Sequence, residues 1–327
     1  FFHSALLSPE GKPGLDYFAR RRLPMKMIRH FGLGWAPESR FALVNHLRSK
    51  GYSEREMIAA NVAVETRSGR AMDRFHARVM FPIIDLRGNV VAFGGRILTN
   101  EKPKYINTSD TPVYHKSSGL FAMNFAKNAL ENDRIILAEG YMDVISMHQA
   151  GFNNAVASLG TALTSLQAGL MKRYTDEVLV IYDSDEAGVK AALRAIPMLK
   201  GVGLTTRVVN LRPYKDPDEF IQHEGCEAFE KRLEEAENSV LYEIRMKERD
   251  FDLADPQGKS DFLHEAVRRL VAIEDEIERN SYLEAVAGKY GIAVEVLRKQ
   301  VGQMALSGAG RTESVKPRNT ASNKKEK

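Results

Sequence analysis

Between residues 134 and 211 the chain alternates four short apolar runs with three segments of helical period, and acidic clusters follow three of the runs. The apolar runs span 134–138, 155–159, 178–182 and 206–211, and the helical segments span 142–150, 165–174 and 186–199. Short Val, Ile and Leu-rich runs alternating with helix-period segments imply a parallel sheet with right-handed crossovers. Ligands of such sheets bind beyond the carboxyl ends of the strands. Glu139 and Asp143 follow the first run, Asp183 and Asp185 the third, and Asp216 and Asp218 lie a short way past the fourth.

Carboxylates gathered without His or Cys suit a hard, oxygen-seeking cation such as Mg²⁺. The substrate such a site most often serves is a phosphate ester. Two carboxylates one residue apart repel each other, and one tends to stay protonated unless a cation intervenes. Each acid also has an ordinary role open to it. Glu139 and Asp216 could cap the helices that follow them, and Asp-x-Asp is common in solvated loops. Three such roles coinciding at matching ends of one sheet is the less economical reading.

Charge is unevenly placed. Residues 1–130 hold 20 Lys/Arg against 10 Asp/Glu, residues 131–307 hold 21 against 31, and residues 308–327 hold six against two. A basic N-terminal third beside an acidic middle suggests a polyanion track next to a metal site, with chance variation in solvated charge as the plain alternative. The single cysteine, Cys226, excludes an internal disulfide and a Cys-based zinc site, so no zinc is expected in this chain. No apolar run approaches the roughly 20 residues that span a bilayer, and the start has no signal-peptide layout, which points to a cytoplasmic protein without a membrane partner. The chain opens at Phe1 and is expected to be a piece of something longer.

Helical spacing covers 15–22 and 40–50, with Gly32, Gly34 and Pro37 between them as breakers. Ser53 with Glu56 reads as a capping box. Residues 78–84 and 90–98 read as a hairpin turning at Arg87-Gly88-Asn89, followed by a loop-rich passage from Pro103. Pro197 is expected to shorten or kink its helix. A last short helix is expected near 218–223, and further helices over 227–237, 240–249, 261–273, 277–290 and 294–304. The composition after Leu306 predicts a disordered linker. The division that results is 1–115, a basic α+β subdomain; 116–238, a metal-binding catalytic subdomain; 239–306, a helical bundle; and 307–327, a linker remnant.

The motifs Glu-Gly-Tyr-Met-Asp at 139–143, Tyr-Asp-Ser-Asp-Glu-Ala-Gly at 182–188 and Asp-Pro-Asp-Glu at 216–219 resemble the Toprim signature. The resemblance implies an α/β fold, a Toprim-type parallel sheet with flanking helices, preceded by a mixed α+β subdomain and followed by a small helical bundle. The flanking segments 78–83, 93–96, 103–107 and 114–116, with Ala-Ser-Leu-Gly-Thr at 157–161, are similar to the catalytic core of bacterial DnaG-type primases. That family makes short RNA primers from ribonucleoside triphosphates on a single-stranded DNA template, a nucleotidyltransferase activity at the replication fork. By resemblance, Glu139, Asp183 and Asp185 are catalytic, with Glu139 a metal ligand or general base. Mg²⁺ is held among Glu139, Asp143, Asp183, Asp185, Asp216 and Asp218, and Mn²⁺ can substitute.

The basic side that the family sets opposite comprises Arg74, Arg78, Arg96, Lys104 and Lys116, with Asn107 as a polar contact. Arg20, Arg21 and Arg22 either touch template phosphates or form a solvated helix face. Tyr105 either stacks on a base or packs, and Trp35 belongs in a core. The family's zinc-binding domain and its helicase-interaction domain are expected outside this chain, so that the replicative helicase would be met through an absent C-terminal domain, and the core is expected to be a monomer. Two alternatives remain: another Toprim phosphotransfer enzyme, a nuclease or topoisomerase, or a non-catalytic single-stranded-DNA-binding module.

Overall fold

Six strands form in the N-terminal part: β1 (Gly34–Ala36), β2 (Ala63–Glu65), β3 (Ala71–Asp73), β4 (Arg78–Ile84), β5 (Val90–Ile97) and β6 (Tyr105–Asn107). The computed structural model from which they are taken describes residues 1–129, 134–160 and 162–306; the expected linker 307–327 lies outside the described residues, as does Thr161. The β4–β5 hairpin forms where alternation predicts it, with Met80 opposite Gly95 and a register shift at Ile83 and Ile84. β1 and β6 flank it, giving an antiparallel sheet in the order β1-β4-β5-β6, while β2 and β3 pair separately. β1 and β6 are three residues long and have no periodicity of their own. They exist because pairing with β4 and β5 satisfies their backbone groups. Trp35 is buried as expected.

The first predicted helix spans Lys12–Arg20 rather than 15–22. Arg21 is its C-cap and Arg22 has a left-handed φ of 55°, so Arg20, Arg21 and Arg22 do not form one helical face. The Ser53 capping box is present: Ser53 Oγ accepts from the Glu56 N–H, and Glu56 Oε2 accepts from the Ser53 N–H at 2.8 Å.

The alternating middle segment forms a second sheet of β7 (Arg134–Ala138), β8 (Ala155–Ala157), β9 (Glu177–Ile181), β10 (Thr205–Val208) and β11 (Glu237–Asn238), in the order β11-β10-β9-β7-β8. The first four strands run parallel, and β11 closes one edge antiparallel. Residues 135–138 and 178–181 are buried, as strands covered on both faces must be. The chain passes from β7 to β8 on one side and then returns to β9 on the other. The carboxyl ends of β7 and β9 therefore form a topological switch point, where a crevice opens. The helices Tyr141–Gln149, Ser165–Lys172 and Glu186–Lys200 fall where expected, and the last continues through Pro197 to Lys200.

One apolar core serves both sheets. Phe18, Phe31 and Phe81 of the N-terminal part join Phe121, Tyr141, Ile136 and Ile181 in a single cluster. Contacts divide the chain after Asn238. The unit beginning at Ser239 consists, among the described residues, of helices Ser239–Lys247, Pro256–Val271, Glu276–Tyr290 and Val294–Leu306 and a short 3₁₀ turn, with its own core of Phe262, Leu270, Leu283, Val286 and Leu297. No helix of the described residues is long and apolar enough to cross a membrane.

Candidate active site

Glu139, directly after β7, and Asp183, two residues past β9, meet at the switch point. The Asp183 N–H donates to Glu139 Oε1 at 3.1 Å. Burial raises the affinity of both carboxyls for a proton. The charges of Asp183 and Asp185 raise Glu139 further, and those of Asp216 and Asp185 raise Asp183, while Lys215 acts against both shifts. Asp143, in the first turn of the helix Tyr141–Gln149, accepts from the Gly140 N–H at 3.1 Å. Its burial, then the charges of Asp216 and Asp183, push its carboxyl up to about 8. Burial and neighbouring carboxylates thus push Glu139, Asp143 and Asp183 toward the protonated form, a cost that a cation would relieve.

Asp185 and Asp216 each use one oxygen as a helix N-cap, accepting from Gly188 and Glu219 N–H groups at 2.9 Å. Gly188 is required for the tight turn between strand and helix, since a Cβ there would stand 2.0 Å from the Asp183 carbonyl oxygen. The motif's glycine therefore serves the fold so that its aspartates can serve the site.

Asp218 is placed differently. It is buried, pairs with Arg21 at 3.0 Å, and accepts from Ser146 Oγ at 2.5 Å and Gln222 Nε2 at 2.7 Å. Both oxygens are thus engaged within the fold, which sets Asp218 apart from the other acids expected as ligands. Arg21, its partner, commits Nη1 to this pair and stays partly exposed. Arg20 and Arg22 remain exposed.

The basic residues divide in the same way. Arg78 is buried in β4, and its guanidinium donates to the carbonyls of Gly95, Pro103 and Lys104 at 3.2 to 3.4 Å. It clamps the 103–104 bend, which corrects its expected role as a phosphate ligand. The Asn107 side chain is also consumed, donating to the Leu159 carbonyl and accepting from the Tyr141 hydroxyl, each at 2.9 Å. Tyr141 stacks on Phe81, and a Cβ at Gly94 would come within 2.7 Å of its ring. The 93–96 segment thus carries glycine so that the helix bearing Asp143 can lie against β5. Arg74 donates from Nη2 to the Asn107 carbonyl and to Ser109, and its buried Nε has no partner among the described residues.

Arg96, Lys104 and Tyr105 remain available. Arg96 lies over the Tyr17 and Tyr105 rings at 4.7 and 5.7 Å, bonds the Tyr17 hydroxyl, and leaves a buried Nε unpartnered. Lys104 is exposed, and the charges of Arg96, Lys215 and Arg21 make its ammonium easier to deprotonate. Burial of the Tyr105 hydroxyl pushes it up to about 12, and Asp143 is among the charges it senses. The basic and acidic sides are therefore electrostatic neighbours. Lys116 is half-buried farther along the same passage and has no side-chain partner among the described residues. Lys215 was not singled out by sequence reasoning, although a lone lysine directly before Asp-Pro-Asp was a visible signal. Its Nζ lies 3.6 Å from Asp183 Oδ2.

Among the described residues no three of these acids close into a ready-made ion cage. Mg²⁺ does not need one, since it retains waters and is typically held by one or two carboxylates together with substrate phosphates. An all-oxygen donor set whose members repel one another fits such an ion.

Comparison with known proteins agrees with this geometry. A family model described as the N-terminal domain of the DNA primase catalytic core matches residues 1–127, and a Toprim-like model matches 136–221. A Toprim-like domain implies a divalent-metal site in general. A third model, the DnaB-helicase binding domain of primase, matches 242–295, so the segment so described lies within this chain rather than beyond it, where the helicase contact was expected. The DNA primase of Clostridium acetobutylicum is 39% identical over 86% of this chain and 47% of its own length. The chain thus spans about half the length of the curated relatives it matches. Among solved structures, the E. coli primase catalytic core is 34% identical, with a TM-score of 0.77 over 90% of this chain and 95% of that one. The DnaG primase catalytic domain bound to single-stranded DNA is 34% identical, with a TM-score of 0.75 over 89% and 93%.

Proposed function

The chain belongs to the bacterial DNA primase family, as its catalytic core, and we propose that it builds short RNA primers from ribonucleoside triphosphates on single-stranded DNA. The observation that carries this reading is the open acidic rim at the β7/β9 switch point with Arg96 and Lys104 as its electrostatic neighbours. Glu139, Asp143, Asp183, Asp185 and Asp216 would hold Mg²⁺, or Mn²⁺ with the same donors, which supplies neutralisation of phosphate charge and activation of the attacking 3′-hydroxyl. Glu139 Oε2 accepts no hydrogen bond among the described residues, which suits it to receive the hydroxyl proton or to bind the ion. Arg96 is preorganised by its tyrosines to grip phosphate oxygens as a planar fork, and Lys104 follows them as a mobile charge. Catalysis on this reading is positioning and charge neutralisation. Arg20, Arg22 and Lys116 are free to meet template phosphates, and the segment 242–295 would contact the replicative helicase.

The test is ribonucleotide incorporation on a single-stranded template. Products are expected only with a divalent cation and are lost in Asp183→Asn. Cleavage of the template without RNA synthesis would establish a nuclease instead, and binding without either reaction would establish a passive module.

A further inference from the structure

Lys215 is fixed at its backbone and loose at its side chain. Its N–H donates to Glu219 Oε2 at 2.7 Å, and its carbonyl accepts from the Ser184 N–H at 2.9 Å. The loop carrying the third acidic motif is thereby joined to the loop carrying the second. The side chain, in contrast, is 62% exposed, and its only ion pair among the described residues is the long 3.6 Å contact to Asp183 Oδ2. An exposed pair of that length stabilises a fold little, so stability does not explain a cation among five acids. Nor does it cap a helix.

We propose that Lys215 is a resident counter-ion, holding the cation position beside Asp183 in the metal-free protein, yielding it to the divalent ion, and then passing to the phosphates of the incoming triphosphate. This rests on the reading of Asp183 as a metal ligand. The physical basis is that an ammonium and a divalent ion within a few ångströms of one carboxylate repel each other strongly. One must leave, and the lysine's four-carbon stem is the mobile partner. The direction of exit is set by charge. Lys104 feels the charges of both Arg96 and Lys215, so this cationic edge lies within electrostatic reach of the lysine. A triphosphate arriving there draws Lys215 off Asp183 as it supplies ligands of its own.

The device predicts opposite signs in two measurements. In Lys215→Met, Mn²⁺ binding to the nucleotide-free protein, read by electron paramagnetic resonance, should tighten roughly three- to tenfold. The KM for ribonucleoside triphosphate should rise by about tenfold. Lys215→Arg, which keeps the charge, should leave Mn²⁺ affinity near that of the parent. Unchanged Mn²⁺ affinity in Lys215→Met, or an unchanged KM, overturns the proposal. Asp183→Asn serves as the reference. If it too binds Mn²⁺ like the parent, the metal reading has failed and takes this proposal with it. If it loses Mn²⁺ while Lys215→Met does not gain, only the counter-ion role is wrong. The backbone bonds of Lys215 do not depend on its side chain, so melting temperatures of the variants should match the parent and separate these effects from misfolding.

Discussion

The acidic rim and the basic edge that neighbours it began as equal sets of candidates, and the fold treats them unequally. On the acidic side only Asp218 is consumed outright, by Arg21, Ser146 and Gln222. On the basic side Arg78 and Asn107 are consumed, and Arg74 commits one nitrogen, Nη2. The difference follows from where the residues sit. Acids past the strand ends each give one oxygen to a backbone N–H and keep the other, as Glu139, Asp185 and Asp216 do. Arginines within an antiparallel strand lie among carbonyls that need donors, and a buried bend such as Pro103-Lys104 recruits the nearest one.

The largest expected contrast lies between the open and the sealed acids. Asp183→Asn and Asp185→Asn should each lower primer synthesis by at least about a hundredfold, with no loss of thermal stability. Asn is a competent N-cap at position 185, so capping survives while the charge is lost. Asp218→Ala should do the reverse, destabilising the fold by about 3 kcal/mol because Arg21 is left without its buried partner. Parallel activity and melting assays decide. Comparable catalytic loss in all three, with no loss of stability at Asp218, would break the distinction.

On the basic side the same contrast should be smaller. Arg78→Ala is expected to cost about 2–4 kcal/mol, a fall in Tm on the order of 10 °C. Arg96→Ala and Lys104→Ala should leave Tm within a few degrees and raise the KM for nucleotide about tenfold. Urea or thermal melts set beside initial rates would show it. An Arg78→Ala protein that melts like the parent but has lost nucleotide affinity would return Arg78 to the site.

How much of this was legible depended on the physics of each element. The parallel sheet was readable because buried strands and amphipathic helices alternate with distinct periods, and the acids were readable because their place at strand ends is fixed by that alternation. β1 and β6 were not, since three-residue edge strands are made by their partners rather than by their own sequence. The fate of Arg78 was hidden for a related reason. Whether it faces phosphate or carbonyl depends on the fold of residues 103–104, some 25 positions away. Arg21 was hidden by 197. The Gly94 contact with Tyr141 shows the remaining gap, because a glycine in a motif that looks like ligand binding can be there for a neighbouring ring.

The smallest expected effect tests the acidic rim without any substitution. Burial and mutual repulsion hold Glu139, Asp143 and Asp183 above the ordinary carboxylate range, with Asp143 at about 8. The unfolded chain releases the corresponding protons near pH 4. Between those limits the metal-free folded state holds more protons than the unfolded state, so its stability should fall as the pH rises from about 4 to 8. A divalent cation binds the ionised carboxylates, so its stabilising effect should grow over the same interval. The expected signature is a Tm in chelator that declines by a few degrees toward pH 8 relative to the protein in Mg²⁺. Asp143→Asn should flatten that difference, having removed the most strongly shifted acid. Parallel pH profiles with and without Mg²⁺ would mean that these carboxylates are satisfied within the fold, as Asp218 is, and the acidic rim would lose its distinction from the basic edge.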